Sequence, residues 1–296
     1  YTGNGKAEVW VKVPSIASGA DTSIWIWWET AGADTQPAED ANFGKEQTWD
    51  DGGNDYFKMV HHMKGANAAA LDDSTQYDND VSADGGTPGY NSTGKVGQAV
   101  DFVAASDEYI EVANSASLEI VAAITISASV NFDDKPGAWN TIISGNNQWW
   151  WNRSDADLIQ FAFMVGTTVE KVTLATGSYS TGTWYRFTAT YDGETVEAFN
   201  GGTSLGTDAD PSGNIDDRTE PISIGGVSGV DYLNGLIDEV CISATVRADA
   251  WINAEYENQN DPNAFIVEGT PEATAVGVAP TAVLYGPLVG PLGGPI

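Results

Sequence analysis

Basic residues are scarce in this chain. Its 296 residues include 12 Lys plus Arg against 42 Asp plus Glu, a formal net charge of −30. A negative field of that size disfavours nucleic acid and acidic membrane surfaces as partners. Cysteine is nearly absent as well. Cys241 stands alone, which excludes an intramolecular disulfide, and its place in an apolar alternating run suits a buried, inert thiol. The two histidines, His61 and His62, are adjacent and so point to opposite faces of a strand, which rules out their sharing one zinc. No run of about 18 apolar residues occurs, so no membrane span is read. A P-loop, a dinucleotide fingerprint and an EF-hand loop are also missing. There is no signal-peptide pattern, but the chain opens on Tyr1 rather than Met, which leaves the compartment open.

What is present is a hydrophobic fraction of 42% with 11 Trp, enough for a packed core despite the charge. The length suits two domains, or one large sandwich with appendages. The acidic excess fits a salt-tolerant solvated surface or divalent-cation sites. Period-2 alternation dominates. Ile124, Ile126, Ala128 and Val130 alternate with Thr125, Ser127, Ser129 and Asn131, and Tyr185, Phe187, Ala189 and Tyr191 alternate with Arg186, Thr188 and Thr190. Strands are expected over 97–102, 109–112, 124–132, 141–144, 158–165, 169–174, 184–191, 196–200, 221–225 and 236–243. Together they predict an all-β, two-sheet sandwich. Ahead of them, residues 7–13, 22–28 and 58–63 read as strands and 30–57 as loop. After them, Trp251, Ala254 and Tyr256 lie at roughly helical spacing before an Asn-Asp-Pro turn.

The ordered motifs Asp73-Ser74-Thr75, the run 94–102 (Gly-Lys-Val-Gly-Gln-Ala-Val-Asp-Phe), Tyr109-Ile110-Glu111-Val112, the run 182–193 and the closing Gly235-Leu236-Ile237-Asp238-Glu239-Val240 resemble a laminin-G-like, concanavalin A-like jelly roll. The resemblance implies a jelly-roll β-sandwich over 66–267. Residues 1–65 resemble part of a small β-rich N-terminal domain of unknown function that precedes such jelly rolls in bacterial, archaeal and phage surface proteins. The matching residues there are Val9 to Pro14, Ile24 to Trp28, Thr48-Trp49-Asp50 and Val60 to Met63. Residues 268–296 form an extended C-terminal arm, uncharged after Glu272 and rich in Pro and Gly.

Three constellations bear on chemistry. A sandwich glycosidase needs two carboxylates facing across a sugar. The glucanase-type run Glu-x-Asp-x-x-Glu is missing, and Glu108 and Glu111 fall on opposite faces of their strand, so an enzyme is not expected. The Trp149-Trp150-Trp151 run places Trp149 and Trp151 on one face and Trp150 on the other. These rings either fill the core or stack against sugars, in which case Trp149, Trp151, Asn152 and Arg153 form a glycan site. The resemblance implies calcium at the rim of the sandwich, with Asp73 and Asp238 as ligands and Asp72, Asp78 and Asp80 as nearby oxygen donors.

The expected function is that of a non-catalytic extracellular, cell-surface or virion-surface protein that binds a glycan or surface polysaccharide through its jelly roll. The competing expectation is a structural assembly subunit that contacts neighbouring subunits through residues 270–296.

Overall fold

The computed structural model describes residues 10–12, 38–41, 44–50, 54, 56–134, 139–145, 148–154, 158–165, 168–174, 179–209, 212–216 and 219–265. The strands expected at 7–13 and 22–28 fall largely outside the described residues, and the arm falls wholly outside them. Fifteen strands are present. They are β1 (Phe57–His61), β2 (Val81–Gly85), β3 (Gly89–Thr93), β4 (Gln98–Phe102), β5 (Tyr109–Val112), β6 (Ile124–Phe132), β7 (Asn140–Gly145) and β8 (Trp149–Arg153). The remainder are β9 (Ile159–Val165), β10 (Thr168–Leu174), β11 (Trp184–Tyr191), β12 (Val196–Asn200), β13 (Thr203–Asp208), β14 (Ile222–Ile224) and β15 (Gly235–Ser243). Three short helices accompany them: α1 (Lys45–Trp49), α2 (Asp249–Asn260) and α3 (Pro262–Phe265).

The strands form two antiparallel sheets. The larger has eight strands in the order β13-β12-β11-β6-β15-β4-β3, with β1 also paired to β15, and the smaller has seven in the order β10-β9-β8-β7-β14-β5-β2. The alternation in β6 and β11 sets which face is buried. Phe187 lies opposite Ala128 and Ala189 opposite Ile126, so the apolar sets of both strands share one side. That side meets the apolar side of the smaller sheet. Trp151 packs edge-on against Phe187 at 5.6 Å, and Phe163 lies 4.7 Å from Tyr191. These inter-sheet ring contacts and the aliphatic residues around them make the main core. The all-β sandwich expected from the sequence is the observed architecture.

The outer side of the larger sheet carries a second apolar cluster. Trp49, Phe57, Val60, Phe199, Cys241, Trp251 and Ile252 pack there, with Trp10 against them. α2 spans this face. At one end a Cβ on Gly201 would lie 2.9 Å from the Tyr256 ring, and at the other Lys95 Nζ donates to Asn260 Oδ1 at 3.1 Å. The segment read as a short helical turn is therefore a twelve-residue helix. The five-residue helix α1 lies in a stretch read as loop. It is too short to stand alone, and the docking of Trp49 edge-on against Phe57 at 5.1 Å holds it.

Strand β1 falls inside the expected N-terminal unit yet hydrogen-bonds into the sandwich, with Val60 opposite Cys241 and His61 opposite Val240. β15 thus has two partners along one flank. Its first half pairs with β4 and its second half with β1. The switch falls at Asp238 and Glu239, where the register to β6 also shifts and Glu239 adopts φ 52°. A non-glycine residue in that region costs on the order of 1–2 kcal/mol. The bonds made there, described below, offset it.

Candidate binding face

Strand β8 carries the Trp triplet. Trp149 and Trp151 are 2% and 1% exposed and belong to the core. Their cross-strand partners explain this. Trp149 lies opposite Phe163, and Trp151 opposite Phe161 and Ile143, so the inward side of three strands is uniformly large and apolar. Gly145, opposite Trp149, admits the ring: a Cβ there would sit 2.4 Å from the indole. Arg153 shares that inward side. It is 1% exposed, donates from Nη1 to the main-chain oxygen of Asp134 at 2.8 Å, and stacks over Phe132 and Tyr179. Of the four residues expected to bind a glycan, three are therefore structural. A sugar cannot stack on rings already sealed between the sheets.

Asn152 is the exception, and Trp150 joins it. Both alternate to the outer side of the smaller sheet. Trp150 is partly exposed and is flanked by Ser144 on β7 and Ala162 on β9, both buried. Asn152 lies between Thr141 and Gln160. It is 8% exposed, yet its Oδ1 accepts no hydrogen bond. Ser223 on β14 continues the Trp150 row beyond Ser144. From β9 to β14 this outer face carries no charge, on a chain of net −30. The face is nonetheless largely closed to solvent: Ala162 and Ser223 are 0% exposed, Thr141 2% and Ser144 4%. The sequence placed Trp150 opposite its two neighbours but not on the outside. The Phe161 and Phe163 alternation on the next strand carries that missing information.

The two expected calcium ligands serve the backbone. Asp73 is fully buried. Its Oδ1 accepts from the amides of Val60 (2.8 Å) and Thr75 (3.0 Å), and its Oδ2 from Thr75 Oγ1 (2.6 Å) and the Asn79 amide (3.1 Å). All four acceptor positions are filled, so Asp73 staples the 73–79 loop onto β1. Asp80, a further expected donor, accepts from the Asp73 amide at 2.7 Å. Asp238 is also fully buried and accepts from the amides of Val96 and Glu239, each at 2.8 Å. Burial and then the adjacent Glu239 carboxylate push its pKa well up, against the pull of the two amides and Arg186. Such carboxylates do not fit a calcium site, and the two share no partner. The acidic atoms that do gather, within 4.8 Å of one another, belong to Glu39, Glu46 and Asp78. They lie at the surface, with Lys45 paired to Glu39 at 3.2 Å. Glu46 titrates higher than usual through desolvation and then the nearby Asp78, Asp40 and Glu39.

Glu108 is also structural: it is 3% exposed and accepts from the Val103 amide at 2.7 Å, while Glu111 on β5 lies opposite Ser223. His61 and His62 take different partners, as their adjacency requires. His61 Nε2 bonds the Asn79 carbonyl at 2.9 Å, and His62 Nδ1 bonds both Glu239 oxygens at 3.0 Å beneath the stacked Trp10 ring.

The two-sheet sandwich that ends on the strand carrying Asp238 matches a family model for concanavalin A-like lectins and glucanases over residues 104–270. The chain belongs to that superfamily. No curated protein matches it by sequence. Solved structures that share the superfamily's sandwich include the binding domain of Paraclostridial Mosquitocidal Protein 1, with a TM-score of 0.56 at 14% identity, covering 69% of this chain and 52% of that one. The receptor-binding domain of botulinum neurotoxin D matches with a TM-score of 0.57 at 18% identity, covering 70% and 53%. Domain 4 of AbnA, an extracellular arabinanase from Geobacillus stearothermophilus solved with arabinotriose, matches with a TM-score of 0.55 at 14% identity, covering 67% and 97%. The chain spans about half the length of the toxin domains and nearly all of the arabinanase domain. These likenesses show a shared fold, carried by domains whose described role is binding. No described helix is long and apolar enough to cross a membrane.

Proposed function

We propose that this protein is a non-catalytic carbohydrate-binding module of an extracellular or surface-exposed protein, with Trp150 as the ring that meets the ligand. The observation that carries the reading is the concanavalin A-like sandwich matched over residues 104–270, with the partly exposed Trp150 ring on the outer side of its smaller sheet. Rings of this kind receive the C–H face of a sugar, and amides order its hydroxyls. The arabinanase domain of the same fold, solved with arabinotriose, supports the ligand class. The non-catalytic reading is supported by the face itself. Glycoside hydrolysis needs two facing carboxylates, and the face has no acid between β9 and β14.

A glycan array probed with the wild-type protein and with Trp150→Ala tests the reading. Wild-type binding that the variant loses supports it. Binding that survives in the variant moves the site elsewhere, and no binding by either refutes the function. The uncharged sequence after Glu272 favours a second reading, a subunit that assembles through residues 270–296. Light scattering with and without those residues tests it. A large species that falls to a monomer on truncation supports assembly, and a monomer in both cases removes it.

A further inference from the structure

We propose that the free edge of β10 is an interaction surface for an extended chain, and that its occupant is residues 281–285 of the same molecule, added to the smaller sheet as a further strand. This is independent of the carbohydrate reading. It gives the uncharged C-terminal residues a place within the molecule rather than between subunits.

The sheet edges differ in how they are protected. An edge strand offers unpaired N–H and C=O groups to any extended chain, and bulges that twist the edge away are a common defence. β13, β3, β2 and β1 each pair with a register shift, at Ala198/Phe199, Gly89/Ser92, Val81/Ala83 and Phe57/Met59. β10 has none. Its seven residues pair with β9 one for one, from Thr168 opposite Val165 to Leu174 opposite Ile159. No described strand pairs with its other side. Thr168, Val169, Val172 and Thr173 are β-branched, and the charges of Glu170 and Lys171 cancel. Val169 is 46% exposed. A regular, net-neutral edge about 23 Å long is a template for pairing.

Three features name the occupant. The first is composition. Residues 273–296 hold no charged side chain, and within them the run Thr281-Ala282-Val283-Leu284-Tyr285 is bounded by Pro280 and by Gly286-Pro287. Proline cannot donate to a ladder, so the prolines set the ends of the added strand. The second is reach. β10 lies against β12 and β13 of the other sheet. α2 packs over the turn between those two strands, with Tyr256 at Gly201 and Asn253 at Gly202. From Phe265, where α3 ends, to Thr281 the chain extends up to about 55 Å, against a spacing of about 10 Å between packed sheets. The third is competition. A tethered segment meets its own edge at an effective concentration on the order of millimolar, whereas a second copy brings another net −30 and is repelled.

Hydrogen exchange read by mass spectrometry tests the proposal on the full chain, on Val283→Pro and on a chain stopped after Phe265. In the full chain the amides of β10 that point away from β9 are expected to be protected. Both variants are expected to release them at least tenfold faster, while the β6 amides keep their protection and show that the sandwich is intact. By light scattering the full chain is expected to be a monomer over a hundredfold range of concentration, and the shortened chain to associate through its bared edge. Equal exchange of β10 in all three proteins overturns the proposal, whether the edge is bare throughout or covered by another segment. Protection that rises with concentration, or a large species that falls to a monomer on shortening, also overturns it, because the segment then serves a second copy. The glycan array reads the carbohydrate function separately, so failure of one leaves the other standing.

Discussion

Arg186 on β11 reaches across the outer face of the larger sheet to Glu255 on α2, with Nη2 donating to Oε1 at 2.6 Å. The pair is nearly sealed, at 5% and 10% side-chain exposure. The same guanidinium donates to Ser127 Oγ at 2.7 Å and, through Nη1, to the main-chain oxygen of Glu239 at 2.5 Å. One side chain therefore ties the helix, the central strand β6 and the left-handed turn in β15 together.

Removing that tie strands partners. Arg186→Met leaves the Glu239 carbonyl without its side-chain donor and Glu255 with only the long 3.5 Å bond from Gln259 Nε2, in a nearly closed site. The expected loss is roughly 3–5 kcal/mol of unfolding free energy, read from urea midpoints. Glu255→Gln in the same background recovers part of it, because it removes the orphaned charge. A double variant no better than the single refutes the assignment.

The Trp triplet separates stability from binding. Trp151→Ala opens a cavity between the sheets and is expected to cost about 3–5 kcal/mol. Trp150→Ala lies on the outer face and is expected to cost roughly 1 kcal/mol or less. Denaturation curves of the two variants side by side check the order, and the reverse order overturns the face assignment.

Two buried groups give the stability curve opposite slopes with pH. His61 is fully buried, with Nε2–H donating to a carbonyl and Nδ1 unpartnered, and desolvation lowers its pKa. Below about 6.5 the unfolded chain binds a proton that the native state refuses, so stability falls as pH drops through that value. Asp238 acts the other way. Its raised pKa means that the native state holds a proton the unfolded chain has released above about 4, so stability falls as pH rises from there. Each slope is at most about 1.4 kcal/mol per pH unit. Urea midpoints from pH 4 to 8 are expected to lose the first slope in His61→Gln and the second in Asp238→Asn.

Cys241 is expected to be silent to thiol reagents. It is 7% exposed, packed with Trp251 and Phe57, and burial pushes its pKa up to about 12. Thiolate is therefore negligible at neutral pH. A native protein that reacts with an aromatic disulfide reagent as fast as the urea-unfolded chain contradicts this.

The strands most legible in the sequence are those with one apolar side and one polar side. The bounds of β5, β6, β11 and β12 are those read from alternation, because Ile126, Phe187 and their kin mark one face while Ser and Thr mark the other. β2, β3 and β13 went unread, since they are polar strands at or near sheet edges with little apolar signal. β8 went unread for the opposite reason: three tryptophans in a row show no alternation at all. The burial of Trp149 and Trp151 is hidden on the same ground. Which side of Trp150 faces water is decided by Phe161 and Phe163 across the ladder, a non-local fact. Asp73 and Asp238 were read as metal ligands because a sequence displays carboxylates but not the amides that come to meet them.

The place of β15 has a consequence for biosynthesis. β15, the last strand among the described residues, is the shared neighbour of β1, β4 and β6, and about four-fifths of the described residues lie between Val60 and its partner Cys241. On the ribosome, β1, β4 and β6 emerge long before the strand that joins them, each with an open ladder edge. The larger sheet therefore cannot be completed until synthesis has passed Ser243, and α2 follows only then. A chain cut short of Gly235 would hold β1, β4 and β6 without the strand that joins them.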